Sequence, residues 1–110
     1  MADVLGGLVA AAVRENQAGV LLREDGMHVL AYPHDGFIVL GVGMDAEAAC
    51  RLPYRALLQR RRQDLQRYGR WIPCIFNDGK FFLVARFPRV ELETGPVEMH
   101  LLSAAEELMS

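Results

Sequence analysis

Five stretches of this chain read as β-strands, and in most of them apolar residues stand side by side instead of alternating with polar ones. An antiparallel sheet with one solvated face should alternate. Here Leu22, Leu30, Ile38, Leu40 and Val42 fit one face, while Leu21, Val29, Phe37 and Val39 load the other. In the last strand pair Phe81, Leu83 and Phe87 oppose Phe82 and Val84. Both faces therefore need cover, and a chain of 110 residues has few helices to supply it. A single copy is expected to leave a contiguous apolar patch exposed, which usually marks an interaction surface.

Turn chemistry divides the strands. "GVLLRE" and "MHVLAY" flank Asp25-Gly26, the signal for a two-residue hairpin. "PHDG" separates the second strand from "FIVLGV", and Asn77-Asp78-Gly79 separates "WIPCIF" from "KFFLVARF". Helical periodicity covers the rest. Val4, Leu5, Leu8, Val9, Ala12 and Val13 share one side of a helix expected over residues 2–17, loosened by Gly6 and Gly7. Asp45 is a natural N-cap for a main helix over residues 46–68, with Pro53 in its first turns or breaking off a short preceding helix. Gly69 stops that helix, Pro88 ends the last strand, and residues 97–109 read as a terminal helix. The order α-β-β-β-α-β-β-α describes one α+β domain, residues 1–110, with a twisted antiparallel sheet flanked by helices.

Composition narrows the function. The chain is 52% hydrophobic and 24% charged, a globular balance, with no apolar run of the roughly 20 residues that a membrane helix needs. An acid at position 3 and no basic leader argue against a secretory signal, so Cys50 and Cys74 are expected as reduced cytoplasmic thiols. They form no CxxC pair, and neither has a neighbouring His to activate it. His28, His34 and His100 have no partner at ligand spacing, and no nucleotide, zinc-hydrolase or nucleophile-elbow motif is present. The expectation is a protein without catalytic residues, metal or cofactor.

Charge is the remaining signal. "RALLQRRRQDLQRYGRW" holds six arginines against Asp64, yet the net charge of the chain is −2. The arginines fall on several sides of the helix, interleaved with Leu57, Leu58, Leu65 and Tyr68, whereas a DNA-reading helix concentrates its basic groups on one exposed face. Residues 91–110 carry five acids and no base, so the arginines are expected to find partners within the same assembly rather than on nucleic acid.

The element order, "DGFIVLGVGM" leading into the second helix, "RALLQRRRQDLQRYGRWIPCIFNDGKFFLVARFP", and the closing "VEMHLLSAAEELM" resemble the small class I chaperones of bacterial type III secretion over nearly the whole chain. Arg60, Arg61 and Arg62 stand where that family often has small polar residues. The resemblance implies a cytoplasmic, non-enzymatic dimer that binds an extended N-terminal segment of a secreted effector or gatekeeper protein. It implies no cofactor, no nucleic acid and no membrane insertion. Apolar positions assign substrate binding to Val4, Leu5, Leu8, Val9, Leu22, Leu30, Ile38 and Leu40. Subunit contact, in a homodimer or with a second chaperone subunit, falls to Leu57, Leu58, Leu65, Trp71, Ile72 and Ile75. The competing readings are a structural or regulatory dimer of a secretion apparatus and, more remotely, a nucleic-acid-binding protein.

Overall fold

The computed structural model describes residues 4–24, 26–93 and 102–109. Its elements are helix α1 (Val4–Glu15), strands β1 (Gly19–Leu22), β2 (His28–His34) and β3 (Phe37–Met44), then helices α2 (Ala46–Ala49), α3 (Tyr54–Gln63) and α4 (Leu65–Tyr68). Strands β4 (Ile72–Ile75) and β5 (Phe81–Pro88) follow, with helices α5 (Arg89–Glu93) and α6 (Ser103–Met109). All five strands form one antiparallel sheet in the order β1-β2-β3-β5-β4. The α+β class with a five-stranded antiparallel sheet and flanking helices is thus the observed fold.

Glycines set the hairpins. Between β2 and β3, Asp35 and Gly36 both have positive φ (47° and 77°), as a two-residue turn of the type I′ class demands. The β1–β2 connection is longer than its sequence suggests. Leu22 pairs with His28, the Arg23 amide donates to the Met27 carbonyl (2.8 Å) and the Gly26 amide to the Arg23 carbonyl (3.0 Å); Asp25 of the expected turn lies outside the described residues. The β4–β5 loop repeats that pattern: the Phe76 amide donates to Lys80 (2.8 Å), and Gly79 adopts φ 87°.

The turn at Asp35-Gly36 also decides which side chains share a face. It pairs Pro33 with Ile38, Ala31 with Leu40 and Val29 with Val42. Even positions of β2 therefore lie beside odd positions of β3, and the expected grouping fails. Leu22 and Leu30 do not share a face with Ile38, Leu40 and Val42; they lie opposite, with Phe37 and Val39. Leu21 and Val29 take their place in the core. Such one-residue phasing is invisible in strands that are apolar throughout, because either choice buries hydrocarbon. The division within β5 matches the expectation, with Phe81, Leu83 and Phe87 in the core and Phe82 and Val84 on the other side.

All the buried helical side chains join one cluster on the core face. Leu5, Val9 and Ala12 of α1, Leu57 of α3, Tyr68 of α4, Leu92 of α5 and Ala105 and Leu108 of α6 pack on Ile38, Leu40, Leu83 and Phe87. Tyr54 meets Phe81 edge-on at 5.4 Å between centroids, and Trp71 meets Phe87 at 6.1 Å. A Cβ on Gly19 would lie 2.9 Å from Leu8 Cδ1, so α1 crosses close over the first strand at this glycine.

The expected main helix is three. Asp45 caps α2 through the Ala48 amide (2.9 Å), and the chain leaves helical geometry before Pro53, which lacks an N–H to continue the ladder. A second break falls at Asp64 (φ −143°, ψ 71°), whose carboxylate accepts from the Arg67 amide (3.2 Å) and starts α4. Short helix α5 was not expected after Pro88; Leu92 anchors it in the core. Of the expected terminal helix, residues 97–101 lie outside the described residues, and α6 represents the remainder.

Candidate protein-binding face

With the helices gathered on one side, the other side of the sheet carries four cross-strand rows, the last of them, His34, Phe37 and Pro88, at the Asp35-Gly36 turn. Val20, Leu30, Gly41, Val84 and Ile72 form the middle row. Leu22, His28, Gly43, Phe82 and Cys74 form a second, and Tyr32, Val39 and Arg86 a third. Phe82 is 4% exposed without belonging to the core. Its ring lies over the Cβ-less backbone of Gly43, where a methyl would meet Phe82 Cγ at 2.6 Å, and Phe76 stacks on it at 4.8 Å between centroids. His28 approaches the same ring from β2 at 6.2 Å. Beside this aromatic plug the face is open: Val20 and Leu22 are about two-thirds exposed and Ile72 more than half. This is the uncovered apolar surface that the doubly apolar strands imply.

The residues assigned to substrate binding divide between the two sides. Leu5, Val9, Ile38 and Leu40 are fully packed in the core and line no open groove. Leu8 is half-buried against Gly19, and the side chain of Val4 is outside the described set. Leu22 and Leu30 stay on the open face. The subunit-contact set divides as well. Leu57 and Trp71 belong to the core, whereas Leu58, Leu65, Ile72 and Ile75 are more than half exposed along α3, α4 and the edge strand β4. Val20 and Tyr32 were missed; their alternation with Leu22 and Leu30 was the available signal.

Four of the segment's six arginines, Arg60, Arg61, Arg67 and Arg70, find partners inside the chain. Arg67 donates through Nε and Nη2 to both carboxylate oxygens of Glu107 (2.9 and 2.5 Å), and the Tyr68 hydroxyl donates to the same group (3.0 Å). Arg60 donates to the Glu107 carbonyl, and Arg23 pairs with Glu106. Arg61 holds the turn into β4, Nε bonding the Trp71 carbonyl (2.8 Å) and Nη2 that of Gly69 (3.0 Å). Arg70 lies over Phe87 at 4.0 Å and faces Glu91 at 3.8 Å. The hydrogen bonds from Arg67, then that from Tyr68, hold the Glu107 carboxyl below the usual carboxylate range. The basic segment thus straps α6 to α3 and α4, as the opposite charge of the two segments suggested.

Among the described residues, no three His, Cys, Asp or Glu side chains gather where they could hold a metal ion. No helix there is long and apolar enough to cross a membrane. His34 faces Asp35 in the turn (3.4 Å), His28 is an aromatic neighbour of Phe82, and His100 is not described.

No family model and no curated protein matches the sequence significantly. A search of solved structures finds a chain from the crystal structure of the ExsC–ExsE complex, with a TM-score of 0.54 and 15% identity. The match covers 96% of this chain and 85% of that one. The two chains share a fold. At that identity the likeness concerns architecture, and the neighbour itself was crystallised in a complex between two proteins.

Proposed function

We propose that this chain is a cytosolic type III secretion chaperone. It binds an extended segment near the N-terminus of a secreted effector or gatekeeper protein and keeps that protein competent for export. The observation that carries this reading is the one-sided sheet. Its helices all pack on one face, and the other presents exposed Val20, Leu22, Tyr32 and Ile72. The fold shared with a chain of the ExsC–ExsE complex and the sequence resemblance to class I secretion chaperones point the same way.

The open face around Leu22 and Leu30 is the proposed seat of the substrate. Leu58, Leu65 and Ile75, with Ile72 at the margin, are the proposed contact with a second subunit, identical or different. An extended ligand lying along the strands of the open face would rest alternate side chains on it. The reading needs no catalytic group.

Co-expression with candidate secreted proteins tests it. The chaperone should retain one of them through a segment near its N-terminus, and Leu22→Asp should weaken retention while the fold, checked by circular dichroism, persists. Retention of secretion-machinery components alone would favour a scaffold and overturn the chaperone reading.

A further inference from the structure

The open face is graded. Two of its rows are largely apolar, with His28 beside the aromatic plug, and the next toward the Asp35-Gly36 end, Tyr32, Val39 and Arg86, carries hydrogen-bond donors. Arg86 stands across Val39 from Tyr32, and its guanidinium carbon lies over the Phe37 ring, 4.4 Å from the centroid. That contact holds the guanidinium over the ring, and Arg86 is exposed, so its N–H groups can meet a planar acceptor. Tyr32 is 43% exposed, and its ring stacks on His34 at 6.0 Å between centroids. The strand positions of this face contain no carboxylate. The nearest acid along the chain, Asp35, faces His34.

From this grading we infer that the segment seated on the open face carries a carboxylate two residues from an aliphatic anchor. The aliphatic side chain rests on Leu30 and Val84, and the carboxylate reaches Arg86 and the Tyr32 hydroxyl. The spacing follows from the strand repeat: neighbouring rows on one face are about 7 Å apart, the distance between residues i and i+2 of an extended ligand. An arginine fork and a carboxylate then make paired charge-assisted hydrogen bonds. A second copy of the face brings no acid of its own, so the acid comes from a different segment. This inference rests on the chaperone reading and specifies the chemistry of its substrate.

Three synthetic peptides repeating Leu-Ser-Glu-Ser, Leu-Ser-Gln-Ser and Leu-Ser-Lys-Ser place the same leucines on one face and change only the charge. Titrated against the full-length protein by fluorescence anisotropy, the Glu peptide should bind about tenfold or more tightly than the Gln peptide, the Lys peptide weakest. Arg86→Glu should reverse the order, and Arg86→Lys should keep it with a smaller margin. Equal binding of all three peptides, or binding of none by a folded protein, overturns the inference. So does a change of oligomeric state in Arg86→Glu, because the face then belongs to a second copy. The chaperone reading is judged separately. If wild type and Arg86→Glu retain a secreted protein equally, only the carboxylate pairing falls; if wild type retains none, the chaperone reading falls.

Discussion

Glu107 shows how one residue can bind a whole segment. Its carboxylate accepts from Arg67 and Tyr68 on α4, and its carbonyl accepts from Arg60 on α3. Because these donors favour the ionised form, the folded-state pKa lies below the unfolded value. The corresponding stability is present above the usual carboxylate range and fades as pH falls through the lowered folded value. Glu107→Gln should therefore melt below wild type at neutral pH, with the gap closing in acid below the ordinary glutamate pKa. Thermal melts at pH 7 and near pH 3 make the comparison. Two glycines give opposite outcomes. A methyl on Gly43 would lie 2.1 Å from the Phe81 carbonyl, so Gly43→Ala must push β3 and β5 apart. It should cost about 1–3 kcal/mol or more in urea denaturation. Gly7, on the exposed side of α1, has nothing within 4 Å of that position, so Gly7→Ala should stabilise by about 0.5–1 kcal/mol.

At the scale of elements, Asp64 separates α3 from α4 and caps the second with its side chain. Asp64→Ala should cost about 1 kcal/mol, read as a shift of the urea midpoint without a change in slope. The sequence announced this capping chemistry only weakly, because a single Asp inside an arginine-rich helical pattern also reads as a surface residue. Strand number, strand order along the chain and the Gly26, Gly36 and Gly79 turns were legible, since glycines at positive φ punctuate the pattern. The facing of β2 was not. Leu30 and Val29 are equally apolar, and only the two-residue turn at Asp35-Gly36 decides which one enters the core. The candidate site inherited that error: its existence followed from strands apolar on both sides, while half its expected members proved to be core. Helix α5 was hidden because Pro88 looks like a terminus, although proline suits a residue just ahead of a helix.

For the molecule as a whole, two exposed apolar regions call for different partners. The region on α3, α4 and β4 is the proposed subunit contact, so Leu65→Asp should shift light scattering from dimer to monomer at micromolar concentration and spare the helical and strand signals in circular dichroism. A wild-type monomer with no dedicated partner subunit would defeat that assignment. The sheet region can be followed without adding anything to the molecule. Cys74 belongs to the same row as Phe82, its thiol directed toward the Ile72 carbonyl at 3.7 Å, while Cys50 is exposed at the C-terminal end of α2 and belongs to no strand. The chain therefore carries a footprinting probe on the open face and an internal standard off it. Alkylation followed by mass spectrometry should slow at Cys74 when a ligand covers that face and proceed unchanged at Cys50.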